Sequence, residues 1–454
     1  MQTQIQSTDI SQSAVRFITE EVLSSGSTTR SFEISYNPIS FTNTMSHSTI
    51  TALTAGMSPI GLAEINGDIY FSETDTIRKI TPSGTIELVA GQDGSYGFSG
   101  DGGPAISGVF ARPKSIASDN AGNLYIADSN NYRVRMIDTN GIISTVAGNG
   151  SQSFSGEGNG GPAISGSISN SFSVGAGPSG VFYICDTNAQ QFRKVQNGII
   201  DLIAGSGISA TYPGDGQPAI GWLISSPSSI CADTIGNFYF TDENSQLFIK
   251  VNSSGLMTKI AGIENSPGYN GENILASGAQ LYYPYTSAVD ASGNLYVADG
   301  QNGTNIRIRM IDTNGIIHNF VGNGSNGFSG DGGQASGATY HPSTTISNSS
   351  EFIMSSDANF YLVDGQNYRI RVVDPSGIIQ TFAGYGNPNY TQGEYVVNTL
   401  YVPPIFIDSV IQGTTGLARY TNLSGISMQV NLSNLTGFSP LSIDKFYISY
   451  TTNE

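Results

Sequence analysis

The sequence predicts an all-β protein folded as a β-propeller, a ring of four-stranded antiparallel sheets set around an axis. Three observations lead there. One strand-rich unit recurs six times in tandem. The composition is rich in glycine and aromatic residues and poor in charge. Short apolar runs alternate with turn residues at fixed places.

The unit is clearest from Asn123 to Gly148, NLYIADSNNYRVRMIDTNGIISTVAG, with near-copies starting at Asn294 and Asn359. Weaker copies start at Val181 and Asn237, and the most eroded one starts at Asp68. Aligned on the acid that ends the YIAD run, the anchors are Glu73, Asp128, Asp186, Asp242, Asp299 and Asp364, spaced by 55, 58, 56, 57 and 65 residues. A near-constant period of this length is the mark of a repeat architecture.

Each unit reads as four strands. The first follows a proline, as in Pro113 to Asp119, Pro227 to Asp233 and Pro284 to Asp290. A Gly-Asn turn (Gly122-Asn123 in the second unit) leads to the second strand, LYIAD. The polar stretch after the acid turns the chain into the third strand, YRVRMID. A turn such as Thr139-Asn-Gly141, whose glycine is free to take positive φ, opens the fourth, IISTVAG. Small or β-branched residues alternate with aromatics, as sheets packed face to face require.

Composition narrows the class further. Of 454 residues 56 are glycine, well above the usual ~7%. Only 12% are charged, which argues against helical bundles and coiled coils, while 38% hydrophobic residues argue against disorder. A net charge of −17 excludes a polyanion grip, so neither nucleic acid nor an anionic membrane face is an expected partner. Cys185 and Cys231 are too few for a disulfide framework, and they stand where sister units carry alanine, as small core residues would. No apolar stretch approaches a membrane-spanning length, so membrane insertion is not expected. The first residues, Met-Gln-Thr-Gln-Ile-Gln-Ser, have neither the basic nor the apolar segment of a secretory signal, and no signal peptide is expected in this sequence.

The run LYIADSNNYRVRMID with its GIISTVAG partner resembles the NHL repeat. The insert Gly97-Phe-Ser-Gly-Asp-Gly-Gly-Pro-Ala105 resembles that of NHL arrays in bacterial surface proteins and in teneurins. The resemblance spans roughly residues 57 to 384 and implies the fold; it does not imply one function, because such propellers include binding platforms, structural modules and some enzymes. The insert recurs as Phe98 to Asp101, Phe154 to Glu157, Tyr212 to Asp215, Tyr269 to Glu272 and Phe328 to Asp331, with a stretched form at Tyr390 to Glu394.

Two blade counts follow. Six blades with β-rich extensions is the first. The second adds a degenerate seventh blade from residues 400–435, closed by residues 50–56 read as its fourth strand. The expected organisation is an N-terminal arm (1–49), the propeller (50–399) and a C-terminal β extension or seventh blade (400–454). Ser31 to Tyr36 and Phe446 to Tyr450 alternate like strands able to pair with each other.

The repeat acids Glu73, Asp128, Asp186, Asp242, Asp299 and Asp364 end a strand, where a carboxylate accepts turn N–H groups or pairs with a cation on the following strand. Eleven of the 18 cations stand on third strands (Arg78, Lys79, Arg133, Arg135, Arg193, Lys194, Lys250, Arg307, Arg309, Arg369, Arg371), which supports that reading. The insert acids Asp101, Glu157, Asp215, Glu272 and Asp331 are expected to cap their own loops, while Phe98, Phe154 and Phe328 plug between blades. The same oxygens are the weak candidates for a Ca²⁺ site, and no other cofactor is expected. Three histidines, His47, His318 and His341, fall at different phases of the unit and supply no zinc set. The repeats read as too alike to single out unequal ligands at the axis. Trp222 is expected to pack.

The functional expectation is therefore a non-enzymatic structural or protein-interaction propeller on an extracellular or particle surface, including a virion. Its loops and terminal extensions would meet a protein or glycan partner, with homo-oligomer, filament or particle assembly as further options. A calcium-assisted hydrolase or lyase and a carbohydrate-binding propeller are the alternatives. Nine Asn-x-Ser/Thr sequons, among them Asn149, Asn252 and Asn323, permit surface glycosylation.

Overall fold

A computed structural model describes residues 28–35, 50–51, 57–152, 157–169, 172–205, 211–301, 303–342, 351–384, 400–401, 427–428 and 445–452. The chain forms two compact units, Ser48–Pro388 and a second made of Met1–His47 with Asn389–Glu454.

The first unit is a propeller of six blades. Blade 2 shows the pattern: Pro113–Ser118, Leu124–Asp128, Arg133–Ile137 and Ile143–Ala147 pair as consecutive antiparallel neighbours. Its second strand is buried along its whole length, because both faces are covered by neighbouring blades, whereas the fourth is half-exposed. The turn between the first two strands is shaped by Asp119, whose Oδ1 accepts the N–H groups of Ala121 at 3.0 Å and Asn123 at 2.9 Å. Asp233 and Asp290 repeat this side-chain turn in blades 4 and 5. Gly148, which ends the fourth strand, has φ 89°, and a Cβ there would stand 2.2 Å from the Tyr132 carbonyl oxygen. That close approach explains why every copy ends in glycine.

The insert preceding each blade returns along its outer edge. In blade 3 Gly161–Pro162 pairs with Ile199–Ile200, and in blade 6 Gly333–Gln334 pairs with Ile378–Ile379. Ile50–Thr51 makes the same pairing with Thr85 and Ile86 of blade 1. This corrects the reading of residues 50–56 as the fourth strand of a seventh blade. The described pair, Ile50–Thr51, is the outer edge of blade 1, in the place where the other blades carry the end of their insert.

The core is a set of wedges between consecutive blades. One wedge joins Leu62, Phe71 and Met57 of blade 1 to Tyr361, Val363 and Ile370 of blade 6, so the ring closes six to one. Ser356 Oγ donates to Glu64 Oε1 at 2.9 Å across the same seam. The first strands line the axis, each touching the next and the sixth touching the first. Among the described residues no strand is exchanged between blades 1 and 6, and side-chain packing joins them.

In the second unit, Thr28–Ser35 pairs antiparallel with Lys445–Thr452, the partnership expected for these two segments, and Leu400–Tyr401 pairs with Ser427–Met428. Apart from those two short strands, residues 400–435, read from the sequence as a seventh blade, lie outside the described residues, as does the Tyr390 to Glu394 insert.

Candidate functional site on the loop face

The repeat acids tie the incoming insert to the blade. Asp128 is fully buried, and its Oδ1 accepts the Ala111 N–H at 2.8 Å just before the first strand begins. Its other oxygen takes Asn131 Nδ2 at 2.8 Å and faces Arg135 at 3.4 Å. Glu73 accepts the Ser58 N–H at 2.9 Å and Arg78 Nε at 2.8 Å. Asp186, Asp299 and Asp364 repeat the arrangement with the N–H groups of Ser169, Tyr282 and His341 and with Arg193, Arg309 and Arg371. Asp242 accepts the N–H groups of Ser225 and Ser226 and the Ser245 hydroxyl. Burial pushes Asp128 and Asp299 up to about 6 and Asp364 up to about 7 against the pull of these bonds.

The insert acids meet the same arginines. Arg135, fully buried, donates from Nε to Asp101 Oδ1 at 2.9 Å and from an η nitrogen to the Ser99 carbonyl at 2.9 Å. Arg371 holds Asp331 at 2.5 Å and Arg309 stands 3.3 Å from Glu272. Blade 3 corrects the sequence alignment. Arg193 Nε donates to Asn159 Oδ1 at 3.0 Å, and what it takes from Glu157 is the backbone carbonyl. Asn159, not Glu157, thus occupies the place of Asp101. The shared landmark is the buried alanine four residues on (Ala105, Ala163), so the insert of blade 3 is two residues longer between aromatic and alanine. Among the described residues no three His, Cys, Asp or Glu side chains converge as a metal-holding group.

Phe98 and Phe328, expected to plug between blades, stay exposed instead. Phe98 is 42% exposed, with Arg133 and Arg135 over its ring at 4.0 and 4.7 Å. Tyr269 and Phe328 repeat this with Arg307 and Arg309, and with Arg369 and Arg371. The buried plugs come from residues nearer the first strand, Phe110 and Tyr340. Phe154 lies outside the described residues.

Blade 4 departs from this pattern. Seven residues after the repeat acid, where blades 2, 3 and 6 have Arg135, Arg193 and Arg371, it carries Ile249. Three residues after the buried alanine, where others have Gly108, Gly166, Ala279 and Ala338, it carries Trp222. A Cβ at Gly166 would lie 3.4 Å from the Arg193 guanidinium, so the small residue faces the arginine and the indole replaces it. Trp222 is buried in one cluster with Ile249, against Tyr212 and Phe240 at 5.6 and 6.1 Å. With no arginine at hand, Asp215 accepts Tyr212 Oη at 2.6 Å and the Lys259 N–H at 2.8 Å. A shallow pocket opens beside Tyr212, Pro213, Pro218 and Ile220.

The axial ends of the first strands are unequal, against the sequence reading. Blade 2 presents Lys114, blade 4 Ser228 and blade 5 Tyr285. Glu243, after the repeat acid of blade 4, accepts Gln301 Nε2 of blade 5 at 2.5 Å and Ser228 Oγ at 3.3 Å. Only alignment of the first strands, the least similar part of the unit, would have exposed this. Cys185 and Cys231 are free thiols raised by burial, Cys231 up to about 12. His318 bonds Asn273 and Asp312, and His341 stands in another blade with its imidazole lowered by burial. His47 lies outside the described residues.

The family model described as the Teneurin NHL domain matches residues 92–157, which are the insert before blade 2, the whole of blade 2 and the start of the next insert. Teneurin-3 of Mus musculus is 26% identical over 290 residues, 55% of this chain and 10% of the relative. Teneurin-3 of Danio rerio is 28% identical over 305 residues, 58% of this chain and 11% of the relative. The matched region is thus about a tenth of the length of these curated relatives. A solved structure of a Bacteroides thetaiotaomicron protein of unknown function is 16% identical with a TM-score of 0.47, covering 74% of this chain and 71% of that one. The ring is a six-bladed β-propeller, and its repeats are similar to those of the Teneurin NHL domain.

Proposed function

We propose that this chain is a non-catalytic protein-interaction propeller that meets its partner through the loop face. One observation carries the reading. The buried ionisable groups of the repeats, from Asp128 with Arg135 to Asp364 with Arg371, hold the inserts in place, which leaves a rigid face carrying exposed aromatics. Preorganised loops on a rigid scaffold lower the ordering cost of association. The teneurin relatives agree with an extracellular setting, and display on a particle or virion surface, with oligomer or filament assembly, is the finer form of the proposal.

The test is immunolabelling of native particles and intact cells, followed by binding of the surface partner to the full chain and to a Phe98→Ala, Tyr269→Ala, Phe328→Ala variant. Label confined to soluble cytosol sinks the display; equal binding by the triple variant sinks the loop face. The exposed rings of Tyr96, Phe98, Tyr269 and Phe328 also favour a second reading, a glycan partner stacked on aromatics, which a glycan array addresses.

A further inference from the structure

The start of blade 2 carries two cations that no described carboxylate neutralises. Lys114 is the second residue of the first strand of blade 2 and is only 8% exposed. Its carbonyl accepts the Ser72 hydroxyl at 2.9 Å, but no described carboxylate lies within ion-pair distance of its amine. Arg112, two residues earlier, also lacks a counter-ion among the described residues. It is held at φ 58°, a conformation that residues with side chains seldom adopt.

The contrast with the other buried cations is direct. Arg135, Arg193, Arg309 and Arg371 each face one or two carboxylates. Burying an amine beside a second cation without an acid is costly, and it occurs here in a chain of net charge −17. Burial, then the Arg112 charge, lowers the Lys114 amine to about 8, so at neutral pH it is still mostly protonated.

We propose that Lys114 and Arg112 form a site for an oxyanion at the start of the axis-lining first strand of blade 2. An ammonium and a guanidinium two residues apart match the two oxygens of a carboxylate or a phosphate. Among the described residues the site is single, because the position of Lys114 is Ile60 in blade 1, Phe172 in blade 3, Ser228 in blade 4 and Tyr285 in blade 5. The shared chemistry is an oxyanion, whether a free tetrahedral ion or the carboxylate of a partner chain.

Amine labelling of the full chain with acetic anhydride at about pH 8, read lysine by lysine by mass spectrometry, tests this. Lys114 is expected to react faster than Lys79, which is ion-paired to Asp68 at 2.7 Å. Phosphate, sulfate or acetate at ~10 mM is expected to slow Lys114 by about fivefold or more and leave Lys259 unchanged. Protection by phosphate or sulfate points to a tetrahedral ion and protection by acetate to a carboxylate, and either supports the site. The half-buried Arg112→Gln variant should lose most of the protection while keeping the fold. An unreactive Lys114, no protection by any of the three ions at ~50 mM, or full protection in Arg112→Gln would overturn the proposal.

Discussion

Arg135 Nε donates to Asp101 Oδ1 at 2.9 Å across 34 residues of chain, while the same guanidinium faces the buried Asp128 at 3.4 Å. One side chain thus connects the insert, the repeat acid and the third strand. Arg135→Met leaves Asp128 buried without its cation and is expected to cost about 3–5 kcal/mol in urea unfolding. Asp101→Asn, at a partly exposed and solvent-screened carboxylate, should cost no more than about 1 kcal/mol. Equal losses from the two changes would show that the buried half of the clamp is not the stronger one.

Blade 4 offers a swap. Trp222→Gly should open a cavity and cost about 3–5 kcal/mol. Ile249→Arg alone should be no better, since the indole fills the space a guanidinium needs. The double variant rebuilds the arrangement of the other blades, with Asp215 and Asp242 as acceptors. It is expected to be more stable than the sum of the single losses by more than about 1 kcal/mol, a coupling that a double-mutant cycle measures directly. Strict additivity would mean that the two positions do not share one space.

The seam between blades 1 and 6 rests on packing. Phe71→Ala, at a fully buried ring in the seam wedge, is expected to cost about 3–5 kcal/mol. Ser356→Ala, which removes only the exposed bond to Glu64, should change stability by about 0.5 kcal/mol or less. Thermal melts of the two variants separate the contributions.

Stability should fall as pH rises from about 4 to 7. Burial raises the folded carboxyls of Asp128, Asp299 and Asp364 above their ordinary value, so the folded state binds more protons than the unfolded chain in that range. Their contribution is therefore present below the unfolded value and is lost as pH rises through the folded one. Each adds a slope of up to about 1.4 kcal/mol per pH unit, and Asp364→Asn should flatten the profile most between pH 6 and 7. A profile that rises over this range would contradict the burial argument.

Some of the molecule is written in single residues and their neighbours. The period of the repeat acids, the turn formed by Asp119 with Gly122 and Asn123, and the glycine ending each fourth strand are set by local geometry. The blade and its strand order follow from them. Even the substitution of an indole for a guanidinium has a local trace, since Trp222 and Ile249 break two columns of the repeat at once. The two-residue shift between Glu157 and Asn159 was hidden because a glycine-rich insert has no apolar period against which to count.

What the sequence by itself determined was the unit: four strands, their turns and the number of clear copies, all governed by hydrogen bonds and burial patterns within about sixty residues. What only the tertiary structure decided was how units meet. Ile50–Thr51 pairs with its own blade's fourth strand, blade 6 packs on blade 1, Phe98 lies over arginines, and Lys114 and Arg112 stand at the start of blade 2 with no described carboxylate in ion-pair reach. These depend on distances between residues far apart in the chain, where charge and volume are balanced across blades and no local pattern records the partner.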